Sequence, residues 1–155
     1  MNETTIGRAL TPAPADSVDP LRRAAQFSGE PGCIAEARRL AVQFLQQLEA
    51  EWFAALGDRT RDDVLLVVSE LVTNAERHSH GPYVLELEGT DRRVTVTVLD
   101  SSATLPRRFE RDPTRLGGHG MEIVHALCDR LTAERVPVGK RVRADFVLEP
   151  DGATG

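Results

Sequence analysis

The sequence has few cysteines and few aromatic residues. Two of its 155 residues are cysteine, and aromatic residues make up 5%. Cys33 and Cys128 lie far apart and form no Cys-x-x-Cys pair, which argues against a disulfide scaffold and against a cysteine-based zinc site. With so few aromatic rings, a core must be built from Leu, Val, Ile and Ala. We therefore expect a globular protein of a reducing compartment, with buried thiols.

The sequence also lacks long apolar runs and an excess of positive charge. No run approaches the roughly 18 apolar residues that a membrane span requires. The first 20 residues show no basic start followed by an apolar block, as a signal peptide would. The net charge of −5 creates no general attraction to DNA or to anionic membranes. We expect a cytoplasmic protein that contacts neither a membrane nor nucleic acid directly.

The length and composition indicate one folded domain behind a tail. A chain of 155 residues can bury one sizeable core and is short for two. Residues 1–20 contain Pro12, Pro14 and Pro20 among Thr, Ala, Asp and Ser, without hydrophobic periodicity. Such composition is typical of a mobile tail. We therefore predict a mobile N-terminal tail over residues 1–20 and a single domain over residues 21–150.

Hydrophobic periodicity predicts five strands and three helices in that domain. Gly57 is expected to end the first helix, and a capping box from Thr60 to Asp63 is expected to begin the second. The connection over 101–118 is long for a small domain, which favours a functional loop. The order predicts an α+β fold, a two-layer sandwich with helices on one face of a mostly antiparallel mixed sheet. The predicted strands cover 21–27, 83–88, 93–99, 131–136 and 142–148, and the predicted helices cover 34–56, 61–78 and 121–128.

A polar stripe runs along the second predicted helix. Glu70, Asn74, Arg77 and His78 recur at spacings of four, three and one, which places them on one side of a helix. Apolar residues flank the stripe, so the helix would pack into the core while its polar side faces something other than the core. Taken alone, Glu70 and Asn74 are better explained by an exposed carboxylate and amide than by a ligand site.

Two further stretches are candidates for the same site. Asp100 ends the third predicted strand, where an aspartate is ordinarily a turn residue. Gly118-His119-Gly120 precedes the third predicted helix, and a helix start presents free amides and a positive dipole to anions such as phosphate. A P-loop is absent, since the sequence contains no Gly-x-x-x-x-Gly-Lys-Ser/Thr.

The order of these motifs resembles the nucleotide site of the GHKL superfamily, which has the histidine-kinase-type ATPase fold. Residues 70–78 resemble the N box of short, actinobacterial-type anti-sigma-factor serine/threonine kinases. Residues 118–124 resemble their second glycine-rich box, and residues 98–100 with 105–107 resemble the first. The resemblance extends over residues 21–148 and is most specific in the N box.

The resemblance implies ATP and Mg²⁺ as cofactors. Asn74 would hold a Mg²⁺ that bridges the ATP phosphates. Glu70 would be the catalytic residue, orienting or deprotonating the attacking hydroxyl. Asp100 would accept a hydrogen bond from the adenine amino group. The further cofactor-binding candidates are Arg77, His78, Gly118, His119, Gly120 and Met121.

The same resemblance implies a regulator of transcription. Such a kinase phosphorylates a serine of an antagonist protein, sequesters a sigma factor, or does both, and a homodimer is compatible with it. The alternative is a non-catalytic interaction module of the same fold, with weak or no ATP hydrolysis or transfer. Two departures favour this alternative. The first glycine box reads Asp-Ser-Ser-Ala-Thr over residues 100–104, without glycines. The late Gly-Lys-Thr or Gly-Thr element before the last strand is present as Gly139-Lys140-Arg141, which removes a hydroxyl that could support the adenine end of the site.

One residue of the N box also departs from the family pattern. Glu76 stands between Ala75 and Arg77, where an apolar residue is usual. A charged side chain near the end of a helix is most simply accommodated in water. We therefore expect Glu76 to face solvent.

Overall fold

A computed structural model describes residues 19–79, 81–102 and 120–149 of the chain. All eight predicted elements are present in the predicted order. The predicted tail over 1–20 and the connection over 101–118 lie mostly outside the described residues. The elements are β1 (Leu21–Phe27), α1 (Cys33–Trp52), α2 (Asp58–His78), β2 (Tyr83–Gly89), β3 (Arg93–Asp100), α3 (Gly120–Leu127), β4 (Arg130–Val136) and β5 (Gly139–Val147).

The five strands form one sheet in the order β1-β2-β3-β5-β4. Each of the neighbouring pairs is antiparallel. After β3 and α3, the chain forms β4 at the edge of the sheet. It then returns as β5, which lies between β3 and β4. This topology places the end of β3 beside the start of β5, where Asp100 pairs with Lys140.

The helices cover one face of the sheet and enclose the core. In β2, Leu85 and Leu87 are fully buried on the helix side, whereas Glu86 and Glu88 line the opposite face. A Cβ built on Gly89 would lie 3.0 Å from Leu48 Cδ2, so α1 packs closely on the sheet. The predicted α+β two-layer sandwich is confirmed. The most deeply buried core residues include Phe44, Leu45, Leu48, Val64, Val67, Val68, Leu71, Val72, Val94 and Val96.

The second face of the sheet is polar. It forms an open depression of about 470 Å³ whose lining includes charged residues of β2, β4 and β5. Thr95 Oγ1 donates a hydrogen bond to Asp145 Oδ1 at 2.7 Å, and Arg143 Nε lies 3.2 Å from the same oxygen. The charges on this face are thus partly paired with one another. Among the described helices, none has both the length and the apolar composition that a membrane crossing requires.

Two helix boundaries differ from the prediction. α1 ends at Trp52 rather than Leu56, because Phe53 adopts a left-handed conformation with φ of 55°, which ends a helix. The predicted capping box is wrong. α2 begins at Asp58 after an extended Gly57, and the Arg61 amide donates to the Gly57 carbonyl at 3.0 Å. Thr60 therefore lies inside the first turn, and no side chain caps the helix.

Candidate functional site

The last turns of α2 carry the predicted polar stripe. Glu70 and Asn74 are half-buried, one turn apart, whereas Arg77 and His78 are exposed. The opposite side of this segment is buried and includes Leu71 and Ala75. The stripe therefore divides into two parts. Glu70 and Asn74 lie at the boundary of the core, and Arg77 and His78 lie at the exposed end of the helix.

A residue of α1 fixes the turn that carries Glu70. Arg38 Nη1 donates hydrogen bonds to Ser69 Oγ at 2.6 Å and to the Leu65 carbonyl at 3.2 Å. These contacts tie α1 to α2 immediately before Glu70. Nothing in the sequence pointed to this role, because Arg38 belongs to an arginine pair with Arg39 that is typical of solvated surface.

Glu70 and Gly120 lie against each other across the junction of α2 and α3. A Cβ built on Gly120 would lie only 2.2 Å from Glu70 Oε1 and 3.4 Å from Glu70 Cδ. A larger residue at position 120 would therefore displace the carboxylate. Gly120 is the first residue of α3, so the carboxylate is placed at the positive end of that helix.

Asp100 is buried at the end of β3, and its carboxylate has partners on both oxygens. Oδ1 accepts a hydrogen bond from the Ser102 amide at 2.7 Å. Oδ2 lies 3.7 Å from Lys140 Nζ, in an ion pair whose side chains are 1% exposed for Asp100 and 0% for Lys140. The aspartate is thus hydrogen-bonded by the backbone two residues further along the chain, as is common for aspartate in turns.

Burial disfavours the charged forms of both partners. Removal from water raises the pKa of Asp100 above its ordinary value, although the Ser102 amide, Lys140 and His78 oppose the shift. Removal from water likewise lowers the pKa of Lys140, and Asp100 opposes that shift. Each group therefore depends on the other to remain charged in this buried position.

A pair of serines joins the end of α2 to the segment after β3. Ser79 Oγ and Ser101 Oγ lie 2.8 Å apart and share a hydrogen bond. The Gly81 amide donates to the same Ser79 hydroxyl at 3.3 Å. This link holds the exposed end of the polar stripe beside Asp100, which agrees with the effect of His78 on the Asp100 carboxyl.

The structure brings together some of the predicted site residues. Glu70 contacts Gly120, Asn74 lies one turn along α2, and Asp100 lies beyond the end of that helix. Met121 is 7% exposed and belongs to the hydrophobic core, so its assignment to a cofactor stays a prediction. Gly118 and His119 lie outside the described residues.

The sequence interpretation of the Gly-Lys-Arg element needs correction. It attributed the change at the adenine end to a lost hydroxyl at Arg141. Because side chains alternate along a strand, Arg141 instead faces the open side of the sheet, where it pairs with Glu134. Lys140 is the residue that faces Asp100. The strand alternation could have identified this lysine, but its pairing with Asp100 depends on the sheet order.

The expectation for Glu76 was also wrong. Glu76 Oε2 accepts a hydrogen bond of 2.5 Å from the hydroxyl of Tyr83, which is 1% exposed. The charged residue in the N box thus satisfies a buried phenol at the start of β2 rather than facing only water. Burial and this hydrogen bond raise the pKa of Tyr83.

Comparison with known proteins identifies the family. The histidine kinase-like ATPase domain matches residues 27–146. The chain belongs to this family. Among solved structures, the RsbU and RsbW domains of Rv1364c from Mycobacterium tuberculosis are similar, with a TM-score of 0.59 and 15% identity over 83% of this chain. This chain spans 32% of that structure, and the likeness at such identity shows the fold alone. No curated protein gives a significant sequence match.

The residues of this histidine kinase-like ATPase domain fit an ATP–Mg²⁺ site at its phosphate end. Asn74 offers an amide oxygen next to Glu70, and Gly120 leaves the start of α3 without a side chain of its own. Within the described ranges, no three His, Cys, Asp or Glu residues form a metal cluster. Mg²⁺ usually takes one or two protein ligands together with water and substrate phosphates, and Asn74 would supply one such ligand. At Asp100, where the resemblance leads us to expect the adenine, the carboxylate already has protein partners.

Proposed function

We propose that this chain binds ATP with Mg²⁺ and acts in the cytoplasm as an anti-sigma-factor-type serine/threonine kinase. The observation that carries the proposal is the contact between Glu70 and Gly120. It places a carboxylate at the start of α3, where the family places the phosphates of its nucleotide. A carboxylate beside the transferred group is what a hydroxyl nucleophile requires.

Each described residue has a role in this proposal. Asn74 would hold Mg²⁺, which would supply charge neutralisation at the phosphates. Glu70 would accept the proton of a serine hydroxyl while the serine oxygen bonds to the γ-phosphorus of ATP. The bond from that phosphorus to the bridging oxygen would break, and ADP would leave. Asp100 would accept a hydrogen bond from the adenine amino group, a contact worth about 1.5 to 3 kcal/mol when the acceptor is charged.

The proposed partners are a small antagonist protein that carries the serine and a sigma factor. The resemblance of residues 70–78 to the N box of these kinases supports a regulator of this class, and the likeness to a structure that contains an RsbW domain agrees with it in fold. The ion pair between Lys140 and Asp100 favours a second function on the same fold, namely sequestration of a partner without phosphoryl transfer. Phosphoryl transfer would require the Glu70 carboxylate as a base, whereas sequestration would not.

Binding and transfer are tested separately. Calorimetric titration of the chain with ATP and Mg²⁺ should give a saturable signal, and no heat at about millimolar ligand would exclude a nucleotide site. Incubation with γ-labelled ATP and candidate antagonist proteins should then label a serine of one of them. Glu70→Gln is the matched control, since it keeps the shape of the side chain and removes the base. A stable complex that never becomes labelled, and that is unchanged by Glu70→Gln, would establish sequestration instead.

A further inference from the structure

Lys140 occupies the position from which an adenine base would have to be recognised. Its ammonium nitrogen lies 3.7 Å from Asp100 Oδ2, and neither side chain has appreciable contact with solvent. The other oxygen of Asp100 is bonded to the Ser102 amide. A base can therefore reach the carboxylate only after one of these groups moves.

The backbone holds Lys140 in this place. Asp100 and Lys140 are direct partners in the antiparallel pairing of β3 with β5. The preceding Gly139 lies so close to β3 that a Cβ on it would be 1.9 Å from the Asp100 carbonyl oxygen. The register of the two strands and the close approach of their backbones thus place Lys140 against Asp100. The contact between the two residues follows from the pairing of β3 with β5.

The chemistry of the pair determines what it can discriminate. The amino group of adenine is a hydrogen-bond donor, and so is the lysine ammonium, so both require the same acceptor. A base with a carbonyl in place of that amino group, such as hypoxanthine, has no exocyclic donor to compete for Asp100. Its carbonyl oxygen can accept from Lys140, and its donor on this edge is the ring N1–H. We infer that Lys140 is a specificity-determining residue, which competes with adenine for Asp100 and lowers the preference of the site for ATP.

This inference rests on the proposed ATP-binding function and deepens it. Lys140 moves toward solvent when adenine binds, and the adenine amino group then replaces it as the partner of Asp100. Without such replacement, Asp100 would remain a buried charge with one partner fewer, which is strongly unfavourable. ATP affinity therefore carries the penalty of breaking the pair, whereas inosine triphosphate does not require the break.

The test measures the affinities of Mg²⁺-ATP and Mg²⁺-inosine triphosphate by calorimetry. In the wild-type chain we expect the two affinities to agree within about threefold. Lys140→Met keeps an apolar stem at this position and removes the competing donor. This variant should bind ATP about ten to a hundred times more tightly than the wild-type chain. Its affinity for inosine triphosphate should not rise. Arg141→Met is the matched control, because this cation lies on the other face of the sheet, and its ATP affinity should equal that of wild type.

The outcomes separate the inference from the proposed function. Equal or weaker ATP binding by Lys140→Met, or an equal gain for both nucleotides, overturns the inference and leaves the nucleotide site standing. A wild-type preference for ATP above about tenfold overturns it too, and this measurement does not depend on whether a variant folds. If no variant binds either nucleotide, the proposed function fails and the inference fails with it.

Discussion

Glu70 Oε1 lies where the Cβ of any larger residue at position 120 would have to be, at 2.2 Å from a Cβ built on Gly120. This relationship couples a residue of the N box to the first residue of α3, 50 positions later in the chain. It explains why a glycine is suited to position 120, since a residue without a side chain leaves room for the Glu70 carboxylate. The coupling between Glu70 and Gly120 can therefore be measured through the free energy of unfolding.

Gly120→Ala should lower the free energy of unfolding by about 1 kcal/mol, because the Glu70 side chain must leave its rotamer to make room. The carboxylate end is flexible, so the fold should survive. Urea unfolding measures the change. In a transfer assay, the displaced carboxylate should reduce labelling of an antagonist protein by at least about tenfold.

The control for this prediction is a double-mutant cycle with Glu70→Ala. Once the carboxylate is removed, the alanine at position 120 meets no obstacle, and its effect should vanish to within about 0.5 kcal/mol. Additive effects in the double variant would show that Gly120 and Glu70 do not constrain each other.

Asn74→Ala should remove the Mg²⁺-dependent part of ATP binding. Asn74 would supply a protein oxygen to the metal, and alanine has none. Calorimetry with Mg²⁺ and with a chelator measures the two affinities, which should become equal in the variant. Thr73→Ala is a suitable control, because Thr73 is also half-buried on α2 and should keep the difference. A metal dependence unchanged by Asn74→Ala would contradict the assignment.

The sequence was sufficient to predict the fold because its helices and strands have distinct periodicities. The apolar spacing in α2 predicted both its buried side, which includes Leu71, and its polar stripe. The pattern over 83–88 predicted a strand, which the structure has as β2. The capping box failed because Gly57 can begin the helix without a side-chain cap, and local sequence does not distinguish these two starts.

The site could be predicted only in part because its contacts join distant segments. The N box could be recognised within nine residues, 70–78. The approach of Glu70 to Gly120, and of Lys140 to Asp100, depends on how α3 packs and on the order of the strands. The bond from Tyr83 to Glu76 likewise depends on how β2 begins after α2. Such contacts follow from topology, which residue spacing alone does not determine.

Tyr83→Phe should lower the free energy of unfolding by about 1 to 2 kcal/mol near neutral pH, because a half-buried Glu76 loses its donor. The effect should depend on pH. The folded chain holds the pKa of Tyr83 above the ordinary tyrosine value of 10.0, so the unfolded chain releases the phenol proton first. The stabilising contribution of Tyr83 is therefore complete below pH 10.0 and declines as pH rises above it.

Urea unfolding of wild type and Tyr83→Phe at about pH 8 and about pH 10.5 tests this dependence. The difference between the two proteins should narrow at the higher pH. Other titrating groups act on both proteins and cancel in the difference. A difference that stays constant, or widens, would mean that the phenol does not titrate at a raised pKa in the folded chain.

Gly139→Ala should be the most disruptive of these substitutions, lowering the free energy of unfolding by about 3 kcal/mol or more. Its φ of 152° disfavours any side chain, and the new Cβ would lie 1.9 Å from the Asp100 carbonyl oxygen, a backbone atom that cannot rotate away. Gly29→Ala is the matched control, because Gly29 also has a positive φ, of 91°, but meets no atom within 4 Å. It should lower the free energy of unfolding by only about 1 kcal/mol. Equal effects in the two variants would mean that backbone conformation alone requires Gly139, and that the approach of β5 to Asp100 is looser than the register of the two strands implies.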